Sequence, residues 1–158
     1  MRKSAPNGLV TDTAFDLRDR PTTIVQRNGG GTTLGSWSIA YTPSGRRSSL
    51  VELDGSVETF AYDTLGRLVS ETRTGTGPRT VAHAYDAVGN RTQRVRNGTP
   101  TAFAYDVDDR IVSAGAASYA WNANGNLVSR TLGAATTTYG YDADDRLVSM
   151  VGGGLSTQ

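Results

Sequence analysis

The segment YDADDRLVS, residues 141–149, combines three closely spaced carboxylates with an aromatic ring and an arginine, residue types that could hold a metal ion. A second acidic segment occurs at residues 106–109. A calcium loop needs about six or more oxygen ligands, including a late carboxylate that binds through both of its oxygens. No such carboxylate follows Arg146 at the required spacing, so the sequence favours turn chemistry over a metal site.

Catalytic chemistry has no stronger support. The chain contains a single histidine, His83, and nucleophilic catalysis would need a base beside a Ser or Thr. A glycosidase would need two opposed carboxylates about 5 to 9.5 Å apart. Residues 29–31, three glycines, lack the Lys and Ser or Thr of a phosphate-binding loop. We therefore predict a protein that is not an enzyme, with no catalytic, cofactor-binding or metal-binding residue; a hydrolase, the weakest alternative, would require Asp, Ser and His83 to converge in a cleft.

Composition excludes several classes of partner. The chain has 158 residues, enough for a hydrophobic core, and carries 16 Lys plus Arg against 15 Asp plus Glu, for a net charge of +1. This balance gives no electrostatic reason to expect nucleic acid binding. No apolar stretch approaches the length of a membrane span or a signal-peptide core, so membrane insertion is not expected. The absence of cysteine excludes disulfides and thiolate metal sites.

The acidic segment recurs along the chain. Its copies are residues 41–49, 62–70, 85–93, 105–113, 121–129 and 141–149, and their leading aromatic residues are spaced by 21, 23, 20, 16 and 20 residues. Residues 15–20, FDLRDR, resemble a decayed further copy. We number the leading aromatic residue 0, so that Asp is +1, the Gly or Asp of the turn is +4, and Arg or Asn is +5. The residues predicted to carry the repeat are Tyr41, Tyr62, Asp63, Gly66, Arg67, Tyr85, Asp86, Gly89, Tyr105, Asp106, Asp109, Arg110, Trp121, Asn122, Gly125, Tyr141, Asp142, Asp145 and Arg146.

A second class of turn signal separates the copies. The dipeptides at 54–55 (Asp-Gly) and 97–98 (Asn-Gly) predict type I′ hairpin turns, in which both central residues have positive φ. A unit of about 20 residues then holds two strands and two turns. We predict an all-β fold, a meander of antiparallel β-hairpins with roughly a dozen strands. The expected divisions are an atypical N-terminal segment of degenerate repeat strands (1–38), the repeats (39–151) and a flexible glycine-rich tail (152–158).

Each position of the copy has an expected structural role. An Asp at +1 accepts hydrogen bonds from backbone amides of the turn, and Gly or Asp at +4 tolerates positive φ. Position +4 is then the left-handed residue of a three-residue hairpin loop, which places +1 opposite +5, 0 opposite +6, and −2 opposite +8. The first pairing sets opposite charges across the strands: Asp63 with Arg67, Asp106 with Arg110 and Asp142 with Arg146.

The other two pairings predict side-chain packing. Position 0 meets an aliphatic residue in four copies: Tyr62 with Leu68, Tyr105 with Ile111, Trp121 with Leu127 and Tyr141 with Leu147. Tyr41 and Tyr85 meet Arg47 and Arg91 instead, whose guanidinium groups are expected over these rings. The residues at −2 are expected opposite those at +8: Ile39 with Ser49, Phe60 with Ser70, His83 with Gln93, Phe103 with Ser113, Tyr119 with Ser129 and Tyr139 with Ser149. Large side chains against small ones would let successive hairpins interdigitate.

These residues resemble the Rhs or YD-repeat family, whose hallmark is a Tyr-Asp followed by a Gly or Asp turn and an Arg/Asn-Leu-Val strand. The resemblance implies hairpins that follow one another in a curved, spiralling sheet and build a hollow shell, as in bacterial polymorphic toxins, the cocoons of insecticidal toxin complexes and teneurin adhesion proteins. In the toxins the shell encloses a variable carboxy-terminal toxin. The family's self-cleaving core carries paired Asp-Pro-x-Gly motifs, and this sequence has no Asp-Pro dipeptide, so autoproteolysis is not expected.

The expected function is structural. The resemblance implies a segment of an Rhs-type shell that encloses or presents a toxin cargo, in a bacterial secreted or cell-surface setting, although the sequence shows no signal peptide. Unpaired strand edges predict association with other repeat strands, from another copy or from the rest of a shell. The alternative is a carbohydrate-binding or adhesion module in which exposed Tyr and Trp side chains contact a glycan.

Overall fold

The structure is a computed structural model, and it describes residues 1–152. The predicted glycine-rich tail lies outside the described residues, apart from Gly152. The chain divides into two compact units. Among the described residues, the first contains Met1–His83 and Val95–Gly98, and the second contains Ala84–Arg94 and residues 99–152.

Every regular element among the described residues is a β-strand. The first eight strands are β1 (Arg2–Ser4), β2 (Val10–Phe15), β3 (Pro21–Arg27), β4 (Thr33–Tyr41), β5 (Arg47–Glu52), β6 (Val57–Tyr62), β7 (Leu68–Thr74) and β8 (Arg79–Tyr85). They are followed by β9 (Arg91–Arg96), β10 (Thr99–Tyr105), β11 (Ile111–Ala114), β12 (Ala117–Trp121), β13 (Leu127–Leu132), β14 (Ala135–Tyr141) and β15 (Leu147–Gly152). Residues 1–152 contain no helix that could cross a membrane.

Within each unit the strands pair antiparallel in chain order, from β1 to β8 in the first and from β10 to β15 in the second. The predicted all-β meander of hairpins is therefore confirmed. Turn chemistry explains the order, because the repeat turns between strands contain a residue that adopts positive φ at low cost. At position +4 these residues are Asp19, Gly45, Gly66, Gly89, Asp109, Gly125 and Asp145, with φ between 55° and 109°.

One of the two predicted Asx-Gly turns differs from expectation. Asn97 and Gly98 both have positive φ, at 49° and 81°, as a type I′ turn requires. Among residues 53–55 only Gly55 has positive φ, and the Glu52 amide donates to the Ser56 carbonyl over 2.9 Å. This is the three-residue loop of the repeat, so the type I′ prediction at 54–55 was wrong. The Asp54 carboxylate stabilises the loop by accepting the Ser56 amide at 2.9 Å.

The register confirms one predicted pairing and corrects another. Position 0 lies opposite +6 as predicted, for example Tyr62 opposite Leu68 and Tyr141 opposite Leu147. A β-bulge then follows, and Ala61 rather than Phe60 lies opposite Ser70. The same shift occurs in the hairpins that begin with Tyr41, Tyr105, Trp121 and Tyr141. The extra residue is at +7, where Ser48, Val69, Val112, Val128 and Val148 stand.

The bulge overturns the predicted reason for the serine at +8. In the described pairings, Ser49, Ser70, Ser113, Ser129 and Ser149 lie opposite the small residues Ala40, Ala61, Ala104, Ala120 and Gly140. At the last pair a Cβ on Gly140 would overlap the Ser149 hydroxyl. Small residues therefore face small residues at −1 and +8, while the residues at −2 lie opposite +9.

Side chains alternate between the two faces of the sheet along a strand, and in the first strand of each hairpin the two faces carry different residue types. The aromatic face carries positions −2 and 0, which are half-buried in β4, β6, β8, β10, β12 and β14. The small-residue face carries positions −3 and −1, which are Ala, Ser, Thr or Gly and are exposed except for Gly140. Within the described part of the chain, Ala117 at 6% exposure is the only buried hydrophobic residue. The expected enclosed core is therefore absent from this part, and stability comes from strand pairing and side-chain contacts over one face.

The hairpins also interlock at the ends opposite the repeat turns. Ser56 is fully buried, and its hydroxyl accepts the Thr76 amide of the next connection at 3.0 Å. Gly75 approaches so closely that an added Cβ would lie 2.7 Å from the Ser56 Oγ and 2.9 Å from its Cα. A larger residue at either position would force the two connections apart.

We expect Gly75→Ala to lower the free energy of unfolding by about 2 kcal/mol more than Gly77→Ala, because overpacking costs roughly 1 to 3 kcal/mol. The two glycines share one connection and both have positive φ, at 86° and 66°, so the backbone strain is similar. An added Cβ at Gly77 meets nothing within 4 Å, which makes this variant the control. Urea denaturation measures the difference, and equal losses would contradict the role of the close approach.

Candidate functional site

The repeat turn is held by the carboxylate at +1. In the copy at 141–149, Asp142 Oδ1 accepts the amides of Asp144 and Arg146, both at 2.9 Å. Its other oxygen accepts Arg146 Nε at 2.9 Å. The Asp142 amide donates to the Arg146 carbonyl over 3.0 Å, and the Asp145 amide donates to the Asp142 carbonyl over 3.1 Å. The acidic segment is therefore a hairpin turn in which one side chain binds two backbone amides and a guanidinium.

The same geometry recurs in both units. Arg67 Nε lies 2.7 Å from Asp63 Oδ2, and Arg110 Nε lies 2.7 Å from Asp106 Oδ2, so these predicted charge pairs are present. Residues 15–20 use it as well, since Arg20 Nε lies 2.8 Å from Asp16 Oδ2. Asn122 replaces the carboxylate with an amide oxygen that accepts two backbone amides at 3.0 and 2.9 Å. The turn requires an oxygen acceptor at +1, and a negative charge there is optional.

These contacts stabilise the ionised carboxylates. The Arg20 guanidinium lowers the pKa of Asp16 to about 2, against an ordinary value of 3.8, in spite of partial desolvation. The Arg67 guanidinium likewise lowers the pKa of Asp63. For Asp86 desolvation raises the pKa, but the amides of Asn90, Gly89 and Val88 outweigh it and the net direction is down.

Asp144, whose role the repeat pattern does not explain, contacts Arg146. Its Oδ2 lies 2.8 Å from Arg146 Nη2, and the equivalent Asp108 lies 3.0 Å from Arg110 Nη2. Both Asp144 and Arg146 are exposed, so the pair contributes little to stability. No three His, Cys, Asp or Glu residues among residues 1–152 are placed to hold a metal ion.

In five copies the aromatic residue at position 0 joins its hairpin to the preceding one. Its hydroxyl or indole N–H donates to the backbone carbonyl at +6 of the preceding copy. The bonds are Tyr41 to Pro21 at 2.8 Å, Tyr62 to Arg47 at 2.9 Å, Tyr105 to Arg91 at 3.1 Å, Trp121 to Ile111 at 2.8 Å and Tyr141 to Leu127 at 3.0 Å. Only Tyr and Trp combine a long flat ring with a donor at its tip, which explains their recurrence here.

The acceptor carbonyl lies where neighbouring hairpins are no longer paired. Strands β5 and β6 pair from Ser49 opposite Thr59 to Val51 opposite Val57, so Arg47 lies outside the ladder. An unpaired carbonyl costs free energy when it is shielded from water. The ring at position 0 fills the gap between the strands and its donor satisfies the carbonyl.

Arginine side chains at +5 and +6 extend this contact to the next copy. Arg20 lies over the Tyr41 ring at 4.3 Å from the centroid, and Arg47 lies over Phe60 at 5.4 Å. The predicted stacking of Arg47 on Tyr41 was wrong, because this guanidinium lies over a ring of the following hairpin instead. In the second unit Arg91 lies over Phe103 at 4.5 Å. These three rings each have a cation from the preceding copy above them.

An ion-pair network in the first unit was missed by sequence reasoning. Arg73 contacts Glu52 at 2.6 Å and Glu58 at 3.1 Å, and Arg79 contacts Glu58 at 2.9 Å and Glu71 at 2.5 Å. The network therefore spans strands β5 to β8. The predicted register places Glu58 opposite Thr72, whereas the bulge places it opposite Arg73. Correct placement of the bulge would have identified this cross-strand pair from sequence.

The fold and the inter-hairpin contacts define a YD-repeat β-sheet protein. The sequence matches the family model described as Teneurin YD-shell over residues 22–156, and the chain belongs to this family. The Rhs or YD-repeat resemblance drawn from the motif is thereby confirmed. No curated protein matches the chain in sequence.

Solved structures share the fold. The chain is similar to one described as "Crystal Structure of TcdB2-TccC3-TEV", with a TM-score of 0.68 and 15% identity, over 97% of this chain and 8% of the other. It is also similar to "Crystal Structure of TcdB2-TccC3-Cdc42", with a TM-score of 0.59 and 13% identity, over 95% of this chain and 12% of the other. The chain thus corresponds to a small part of each of these much longer chains.

We expect Tyr141→Phe to lower the free energy of unfolding by about 1 kcal/mol, the usual cost of one hydrogen bond, because the Leu127 carbonyl loses its donor. Tyr139→Phe is the matched control. Tyr139 lies on the same strand and also on the aromatic face, and its hydroxyl has no hydrogen bond among the described residues. Chemical denaturation of both variants measures the difference, and equal stability would contradict the joining role of position 0.

We expect Asp86→Asn to reduce the acid sensitivity of the protein. The folded pKa of Asp86 is below its ordinary value of 3.8, so its stabilising contribution is present above about pH 4 and is lost as the pH falls through the lowered pKa. Asn preserves the acceptor, as Asn122 shows in a copy that also has Asn at +5, but does not titrate. The variant should lose less unfolding free energy than the parent between about pH 5 and pH 2. Parallel curves of unfolding free energy against pH for the variant and the parent would refute this.

Proposed function

We propose that this chain is a non-enzymatic wall segment of a YD shell that encloses or presents a polypeptide cargo. One observation carries the proposal: the side chains that recur from copy to copy are used to form turns and to join hairpins. The +1 carboxylates bind turn amides and arginines, and the position 0 donors bind carbonyls of the preceding hairpin. Groups that are committed to backbone atoms in this way are poor candidates for catalysis.

The small-residue face supports a role as a wall. Its residues on the first strands are Ala, Ser, Thr or Gly, and most are exposed. The first strands therefore offer no charge and no large apolar group for specific recognition on this face. A wall that holds cargo of varying sequence requires such a face, and we assign the small-residue face to the cargo side.

Membership in the YD-shell family and the fold shared with the TcdB2-TccC3 structures also support a shell. Because the chain covers only 8% and 12% of those chains, the proposal concerns a short stretch of wall. Cargo enclosure would be a property of a longer assembly to which this stretch contributes.

The outer side of β15 is the proposed place where further wall is added. Arg146 is 72% exposed, whereas the equivalent Arg67 and Arg110 are 28% and 29% exposed. Leu147 and Val148 at the start of β15 are also exposed. A further YD hairpin on this edge would cover these side chains and pair the free backbone groups of the strand.

Carbohydrate binding is the alternative, and the inter-hairpin contacts weigh against the most obvious form of it. Tyr141 and Trp121 donate their hydroxyl and indole N–H to backbone carbonyls, and both rings are half-buried. Sugar binding on aromatic side chains needs an open ring face and nearby polar groups that are free to bond. Glycan-array binding that depends on Trp121 and Tyr141 in folded protein would favour this alternative over the wall.

We expect the chain to self-associate with increasing concentration, since an uncovered edge strand pairs with other strands. Val148→Lys on β15 should shift the protein toward monomer, because a charged edge resists pairing. Leu65→Lys is the control, since it adds the same charge at an exposed turn tip of the first unit. Sedimentation velocity measures the distribution. A strict monomer at high concentration, or equal effects of both variants, would contradict edge addition.

A further inference from the structure

Successive repeat turns touch each other through positions +5 and +4. In the second unit Asn90 Nδ2 donates to Asp109 Oδ1 over 2.6 Å, and Asn126 Nδ2 donates to Asp145 Oδ1 over 2.6 Å. In each case the Asn is at +5 of one copy and the Asp is at +4 of the next. The Asp at +4 therefore has a partner in the preceding hairpin in addition to its role in the turn.

An arginine at +5 makes a different contact. The Arg46 guanidinium occupies the space that a Cβ on Gly66, at +4 of the next copy, would need. It also lies over the Tyr62 ring of that copy at 5.7 Å. In the copy before, Arg20 Nη1 lies 3.5 Å from the Cβ position of Gly45, and the group covers Tyr41. Glycine at +4 leaves room for the guanidinium to reach the ring.

The sequence follows the same pairing at every step between copies. Arg at +5 is followed by Gly at +4 in Arg20 and Gly45, Arg46 and Gly66, Arg67 and Gly89, and Arg110 and Gly125. Asn at +5 is followed by Asp at +4 in Asn90 and Asp109 and in Asn126 and Asp145. The order of Arg followed by Gly also holds at Arg110 and Gly125, although Arg110 does not approach the Cβ position of Gly125. No atom lies within 4 Å of that position, and Arg110 binds Asp108 in its own turn.

Physical chemistry gives each pair its reason. Position +4 has positive φ, which restricts it to Gly and a few residues such as Asp. A guanidinium is broad and gains from covering a ring, so the smallest residue at +4 suits it. An Asn side chain is shorter and cannot cover the ring, but its amide donates to a carboxylate at +4.

We propose that the residue pair formed by +5 of one hairpin and +4 of the next determines which hairpin can pack against which. We call this the matching rule. Applied to β15, the rule predicts the residues of the hairpin that would pack on this edge. Arg146 is at +5, so the hairpin that covers this edge carries Gly at +4 together with Tyr or Trp at position 0, whose donor binds the Leu147 carbonyl. This application rests on the proposed addition of hairpins at β15, whereas the rule itself is tested inside the chain.

The internal test compares Gly66→Ala with Gly125→Ala. Both glycines have nearly the same φ, 80° and 83°, so the backbone strain matches, but only Gly66 faces a guanidinium. We expect Gly66→Ala to lower the melting temperature by about 3 °C more than Gly125→Ala, and Arg46→Asn to remove most of that difference in the double variant. Equal shifts for the two glycines, or no rescue by Arg46→Asn, would overturn the matching rule. If Gly66→Ala fails to fold, recovery of folding in the double variant supports the rule and its absence overturns it.

The edge test uses two end-cyclised synthetic hairpins that copy residues 57–74, one with Gly66 and one with Gly66→Asp. Binding to the full chain and to its Arg146→Asn variant is measured by fluorescence anisotropy. The parent should bind the Gly probe about tenfold more tightly, equivalent to one charge-assisted contact, and the variant should favour the Asp probe. Equal binding of both probes to both proteins overturns the selection by Arg146 and leaves edge addition intact. Absence of binding by either probe contradicts edge addition, and the internal test then decides the rule alone.

Discussion

The structure depends on one interaction, the acceptance of turn amides by the oxygen at +1. This contact closes a three-residue loop and holds +4 at positive φ, so that the two strands leave the turn in a defined register. The bulge at +7 follows immediately, and neighbouring hairpins separate at this end of the strands. The ring at position 0 then bridges the separation and binds the carbonyl at +6 of the hairpin before it. Turn, bulge and bridge form one linked unit, and each copy repeats it.

A sheet of this kind is stabilised without an enclosed core. Ala117 is the only buried hydrophobic residue in the described part of the chain. The rings at positions −2 and 0 are half-buried, and those of Tyr41 and Phe103 lie under arginines of the preceding copy. Each hairpin therefore depends mainly on its neighbours, as in other repeat proteins, where stability is approximately a sum of units and their interfaces. The carboxylate–arginine network of β5 to β8 adds cross-strand contacts in the first unit.

The use of these side chains to hold hairpins together bears on the function of the chain. The groups that resemble a site, from the acidic turn to the row of Tyr and Trp, hold hairpins together, while the small-residue face carries little chemistry. The chain belongs to the YD-shell family, and this membership supports the proposed role in a wall. The hairpin at residues 141–149 differs because Arg146 and Leu147 are more exposed than the equivalent residues of most other copies. The edge at β15 thus has exposed side chains as well as unpaired backbone groups.

The sequence by itself determined what is local. The repeat turns, the positive φ at +4, the pairs of +1 with +5 and of 0 with +6, and the meander all follow from residues within a few positions of each other, as Asp63, Gly66 and Arg67 illustrate. The tertiary structure decided the rest. The bulge at Val69, the placement of Ser70 opposite Ala61, the reach of Arg47 to Phe60 and the partners of Arg73 depend on how a hairpin meets its neighbour. Such a side chain has possible partners both in its own hairpin and in the next one. Its actual partner is known only when the positions of both hairpins are known, and the sequence of a single copy does not contain that information.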